Sequence, residues 1–170
     1  DPRLTEIIYE TFFKMFKEGL IYRDKRIINQ CPKCNTALAD IDTEHESKRG
    51  IFAYIRYPLA DSPEEYITVA TTRPETMLGD TAVAVHPEDS RYAKYIGKKV
   101  LLPIAEREVP VIADEEVDTE LGTGAVKVTP AHSPVDFELA QKHGLEIVNV
   151  INEKGLMEGD IPERFKGMET

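Results

Sequence analysis

The feature that most constrains this fold is a succession of short runs rich in β-branched residues, cut apart by Gly, Pro and Asp. Ile51-Phe52-Ala53-Tyr54-Ile55, Tyr66-Ile67-Thr68-Val69-Ala70 and Thr81-Ala82-Val83-Ala84-Val85 read as strands, with Asp61-Ser62-Pro63 breaking the first from the second. Runs at 100–104 and 109–113 flank Ala105-Glu106-Arg107-Glu108 and read as a hairpin; runs at 125–129 and 146–152 complete the set. Helical spacing is rarer. Leu4, Ile7, Ile8, Phe12, Met15 and Phe16 make 3–18 an amphipathic helix stopped by Gly19, 90–96 reads as a short helix, and 133–143 is a helix closed by Gly144. Strands outnumber helices and connections are irregular. The expected class is therefore α+β, a β-barrel-like core with peripheral helices.

At 170 residues the chain buries a core without disulfide or metal staples. Its 21 basic against 31 acidic residues give a net charge of -10, opposite in sign to a free-standing nucleic-acid binder. Contact with nucleic acid would have to be local or shared with other modules. No apolar run approaches the ~20 residues of a membrane span, and the N-terminus lacks signal-peptide order, so no membrane is expected and a cytoplasmic address is. The chain begins at Asp1 and ends at Gly167-Met168-Glu169-Thr170 without a terminal structure signal, and so reads as an excised piece of something longer.

Two segments carry chemistry. The first, Thr71-Thr72-Arg73-Pro74-Glu75-Thr76-Met77-Leu78-Gly79-Asp80, crowds hydroxyls, a guanidinium and carboxylates into a loop between apolar strands. Loops held on a rigid sheet are where binding groups concentrate. The same residues also suit a plain turn, with Pro74 fixing the backbone and Arg73 paired to Glu75 or Asp80. The second segment runs from Gly122 to Asp136. Period-two geometry puts Ala125, Lys127 and Thr129 on one strand face, like a pocket floor, and Val126 and Val128 on the core face. The chain then turns through His132, and Ser133-Pro134-Val135-Asp136 starts a helix: Ser133 as N-cap, Pro134 first, Asp136 third. Each residue also has a plain structural use: a cap for Ser133, the helix dipole for Asp136, a solvated strand position for Lys127. Their joint occurrence with the first segment favours a site.

Cys31-Pro32-Lys33-Cys34 is half of a zinc motif, and no second pair exists; His45 and Asp40 are not at ligand spacing. No metal and no cofactor is expected. The basic clusters Arg23-Lys25-Arg26, Lys48-Arg49 and Lys98-Lys99 read as solvated faces or phosphate contacts.

The phrase from Thr71 through Asp80 to His86-Pro87 resembles the threonine-rich segment of class I aminoacyl-tRNA synthetase editing domains, and Gly122 to Asp136 resembles that family's other editing motif. The likeness runs over nearly the whole chain and is strongest to the valyl branch. It implies that 1–45 is an N-terminal helix and connecting segment, 46–160 the editing domain and 161–170 a return linker. It implies hydrolysis of threonine mischarged onto valine tRNA, with threonyl-adenylate as a second substrate. The partners implied are the aminoacylated 3′ end of tRNA and the rest of the parent synthetase. Editing in the isoleucyl or leucyl branch, or a non-catalytic module that binds the tRNA end, are the alternatives. Neither the HIGH nor the KMSKS signature of the adenylating domains is present, so no adenylation is expected.

The logic of such a site is a reversed filter, the valine–threonine pair being the standard illustration of a double sieve. Threonine differs from valine by one hydroxyl, and the editing pocket must demand it. The resemblance points to Lys127, Thr129 and Asp136 as the catalytic set, with Thr71, Thr72, Arg73, Thr76, His132 and Ser133 binding substrate. Charge assigns Asp136 to the α-ammonium and Arg73 to the terminal ribose or a phosphate. Lys127 or nearby backbone N–H groups suit the oxyanion. Water is the expected nucleophile, and His132 is disfavoured as its base. One position departs from the family pattern: Ser133 stands where Asp is usual, a neutral hydroxyl in place of a carboxylate.

Overall fold

The computed structural model describes residues 2–44, 46–47 and 49–170, with only the backbone of Pro2; His45 and Lys48, named above, lie outside the described residues. Helix α1 (Pro2–Lys17) ends at the turn where Gly19 takes φ 72°. Its apolar side chains, among them Leu4, Ile8, Phe12 and Phe16, remain exposed. A small hairpin follows, β1 (Asn29–Cys31) with β2 (Thr36–Leu38). Among the described residues no cluster of three or more His, Cys, Asp or Glu side chains completes a metal site, and Cys31 and Cys34 are free thiols.

The core is built from six further strands. β3 (Ala53–Pro58) and β4 (Tyr66–Thr71) form an antiparallel ribbon. Alternation turns Ile55, Tyr57, Ile67 and Val69 inward, and leaves Tyr54 and Arg56 in solvent. β5 (Ala82–Val85), β6 (Lys99–Leu102), β7 (Arg107–Ala113) and β8 (Ala125–Val128) make a mixed sheet of order β6-β7-β5-β8, in which only β5 and β7 run parallel. All four residues of β5 are buried. Val83 and Val85 join the main core, while Ala82 and Ala84 face a second cluster with Val128 and Leu139. Strands covered on both faces lose the polar-out alternation.

The ribbon and the sheet meet at their edges through the Leu59–Val100 bridge, and β4 lies alongside β8. The ladders do not close into a continuous barrel. The class is α+β, sheet-rich with few helices, as the sequence implies.

Helix α2 (Pro134–His143) starts at Ser133, whose Oγ accepts the Asp136 N–H, and ends at Gly144 in the left-handed region. The run at 146–152 is not a strand: only Ile151 bridges, to Met157. Its main chain bonds elsewhere, Val150 N–H to the His132 ring and Val150 carbonyl to the Glu158 N–H. Residues 90–96 hold only a 3₁₀ turn, Ala93–Tyr95. Among the described residues no helix is long and apolar enough to cross a membrane.

Candidate functional site

Antiparallel pairing of β5 with β8, in a register that sets Val83 opposite Lys127, brings the two chemistry-bearing segments together. After β4 the chain enters a 3₁₀ turn, Pro74–Gly79, with Thr76, Met77 and Leu78 packed inward. Space is tight at Gly79: a Cβ would lie 3.0 Å from the Val148 carbonyl oxygen and 3.1 Å from Val150 Cγ2. The turn delivers Thr76 and Asp80 beneath β8.

There the face of Lys127 and Thr129, expected as an open floor, is itself buried. The Lys127 ammonium donates to Thr76 Oγ1 at 2.7 Å, to Asp80 Oδ1 at 3.2 Å and to Thr129 Oγ1. An ammonium has three donors, and all three are used within the protein. Thr129 Oγ1 donates in turn to Asp80 Oδ1, and the Tyr57 hydroxyl donates to Asp80 Oδ2 at 2.7 Å. Arg73 pairs with Glu75 at 3.5 Å, whereas Asp80 belongs to Lys127. Burial pushes the Asp80 carboxyl up to about 6, against the pull of Lys127, Thr129 and Tyr57. Burial, with Asp80 beside it, also drives the Tyr57 hydroxyl upward.

The network reaches the helix. Asp136 Oδ2 accepts the Thr129 N–H at 2.8 Å, and the Ser133 side chain lies beside the same carboxyl group and favours its ionised form. Burial raises the Asp136 carboxyl, and the Thr129 N–H and Lys127 oppose that rise. Arg73 spans the two segments: Nη1 donates to the His132 carbonyl at 2.9 Å, and the Arg73 carbonyl accepts the Thr76 hydroxyl at 2.9 Å. Thr71 Oγ1 accepts the Arg73 N–H at 3.1 Å and is buried, whereas Thr72 is exposed at the rim. His132 Nε2 accepts the Val150 N–H at 3.2 Å, and burial together with the charges of Arg73 and Lys127 lowers the imidazole to about 4.

All the predicted residues except the exposed Thr72, which adjoins them in the chain, are thus linked in one cluster. It holds two more, Asp80 and Tyr57. Asp80 closes the first segment, so its position was visible in the sequence. Tyr57 carried no signal beyond its inward place in the alternation of β3. A cavity of about 990 Å³ lies elsewhere, between residues 20–29 and the Pro134, Phe137, Glu138 and Gln141 face of α2. None of the candidate residues lines it, so the chemistry is assigned from the buried network.

The chain is 54% identical over 169 residues to a valine–tRNA ligase of Geobacter sulfurreducens and 52% identical to one of Syntrophotalea carbinolica. Each match covers 99% of this chain and 19% of the relative. Residues 93–164 match the family model described as "Leucyl-tRNA synthetase, editing domain". The chain is an editing domain of the class I aminoacyl-tRNA synthetases, most like the valyl branch. It spans about a fifth of the length of the curated relatives it matches. A solved LeuRS of Agrobacterium radiobacter, in a ternary complex with tRNA, has a TM-score of 0.49 at 20% identity, covering 88% of this chain and 28% of that one.

Proposed function

We propose that this domain hydrolyses the ester joining mischarged threonine to valine tRNA, with threonyl-adenylate, which presents the same activated acyl carbon, as a second substrate. The observation that carries the reading is a buried carboxylate, Asp136, held at the meeting of the two segments by the Thr129 N–H and Ser133, beside the Arg73 bridge. The chain's likeness to valine–tRNA ligases along its whole length supports the choice of amino acid and tRNA.

Asp136 takes the α-ammonium through a charge-assisted bond. A cation beside it favours the ionised carboxylate that burial opposes. Ser133 Oγ is already an acceptor for the Asp136 N–H and its O–H serves the Asp136 carboxylate, which leaves one lone pair to accept the threonine hydroxyl. Valine brings no donor for that lone pair, at a cost of about 1–3 kcal/mol. Arg73 and the exposed Thr72 meet the terminal ribose. Lys127 and Thr129 act from beneath, Lys127 holding both threonine hydroxyls and Thr129 presenting its N–H to Asp136. The ester is already activated, so a positioned water suffices, with a substrate ribose hydroxyl carrying the proton.

The test is release of threonine from threonyl-tRNA beside a valyl-tRNA control, at low salt and high enzyme. The wild type releases threonine selectively. Asp136→Asn keeps an acceptor for the Thr129 N–H but removes the charge, and Asp136→Ala removes both. Both lose hydrolysis by roughly 10- to 100-fold, the worth of a charge-assisted bond. Undiminished hydrolysis in these variants overturns the assignment, and tRNA binding without release in the wild type marks a non-catalytic module.

A further inference from the structure

His132 stands where three segments join. Its ring Nε2 accepts the Val150 N–H, its carbonyl accepts the Arg73 guanidinium, and its own N–H donates to the Thr129 carbonyl at 3.0 Å. A neutral imidazole has one N–H and one lone pair. The Val150 N–H occupies the lone pair at Nε2, so the ring proton sits on Nδ1, and neither nitrogen is left to take a proton from water. Surrounding burial and the neighbouring cations keep the ring neutral down to about 4.

The partner strengthens the point. Val150 is fully buried, and its carbonyl is held by the Glu158 N–H. Its neighbour Val148 and its own Cγ2 pack on Gly79 at the end of the first active-site turn. Residues 148–150 therefore back both turns: one by close packing at Gly79, the other through the His132 ring. The sequence reading places His132 among the substrate-binding residues, but its lone pair faces the protein.

We propose that His132 is a positioning residue: its ring ties the turn at 129–133 to residues 148–150, and its carbonyl thereby fixes the Arg73 guanidinium over the substrate. This rests on the hydrolytic reading above for its kinetic consequence, and on geometry alone for the tie itself.

The test compares His132→Gln with His132→Asn. The Gln amide oxygen reaches the place of Nε2 and accepts the same N–H without being a base; the shorter Asn reaches only the place of Nδ1. Two readouts are taken: steady-state hydrolysis of threonyl-tRNA, and hydrogen exchange at the Val150 amide. In His132→Gln, kcat, KM and slow exchange all stay near wild type. In His132→Asn, exchange at Val150 accelerates and KM rises, each by roughly 5- to 100-fold, as for a lost buried hydrogen bond. A loss of kcat by about 10²-fold or more in both variants with KM unchanged would instead mark a general base and overturn the proposal. Equal Val150 exchange in all three proteins overturns the tie whatever the kinetics. A wild type without hydrolysis refutes the functional reading, while the exchange measurement still decides the tie.

Discussion

Replacing Lys127 by Met gives the buried network a pH dependence that the wild type lacks above pH 6. Asp80 is fully buried, and its carboxyl is pushed up to about 6 from an ordinary 3.8 by burial, with Lys127 the strongest influence holding it from rising further. An acid raised in the folded state keeps a proton that the unfolded chain has released, so stability falls as pH rises through the gap between the two pKa values. In the wild type that fall levels off above pH 6, as the folded carboxyl too becomes ionised. Lys127→Met removes the cation, moves the folded Asp80 upward and extends the fall beyond pH 6. Each further unit is worth ~1.4 kcal/mol, so from pH 6 to pH 8 the variant loses up to ~2.7 kcal/mol relative to wild type. A pH-independent loss adds to this, from the bonds to Thr76 and Thr129. Urea denaturation at pH 6, 7 and 8 with a common slope measures it. The double variant Lys127→Met, Asp80→Asn removes the Asp80 share of the slope, and any slope that remains belongs to Asp136, whose rise Lys127 also opposes. Parallel wild-type and Lys127→Met profiles across that range would refute the claim that Lys127 keeps Asp80 ionised.

Two further predictions concern the scaffold. Asp114 caps the end of β7 and receives Lys142 Nζ at 2.8 Å, His143 Nε2 at 2.7 Å and the Glu116 N–H at 3.0 Å. Burial alone would raise its carboxyl, yet these bonds together hold it down at about 2. Its stabilisation is therefore present above its ordinary 3.8 and fades as pH falls toward 2. With half-exposed Lys142 screened by solvent, Asp114→Asn costs about 1–2 kcal/mol in urea denaturation at pH 7, and the gap to wild type closes below pH ~4. A gap independent of pH would show that charge is not the cause. Gly79→Ala forces a methyl against Val148, Val150 and Thr129, at 3.0 to 3.3 Å. It lowers stability by about 1–3 kcal/mol and threonyl-tRNA hydrolysis with it, and an unchanged melting temperature would mean that the two segments are not in forced contact.

Much of the layout was legible one residue after another. Period-two alternation located β3 and β4, because one side of the ribbon faces water and the sequence must record that. The Ser133-Pro134 start and Gly144 stop defined α2, because capping is settled within a single turn of chain. The run at 146–152 has strand composition, yet its N–H and carbonyl groups find partners in a ring nitrogen and a distant loop. Composition does not record such a choice. β8 misled in a similar way: alternation implies one open face only when nothing covers the other, and here both are covered.

The sequence by itself determined which side chains could do the chemistry. Thr72, Arg73, Thr76, Lys127, Thr129, Ser133 and Asp136 stand in two short phrases, and side-chain type is a property of the chain alone. Only the tertiary structure decided which of their atoms remain free. Lys127 spends its three donors on Thr76, Asp80 and Thr129, His132 spends its lone pair on Val150, and Asp136 spends one oxygen on the Thr129 N–H. Hydrogen-bond capacity is finite and is consumed by groups up to 51 residues away, so availability is settled by packing and not by identity.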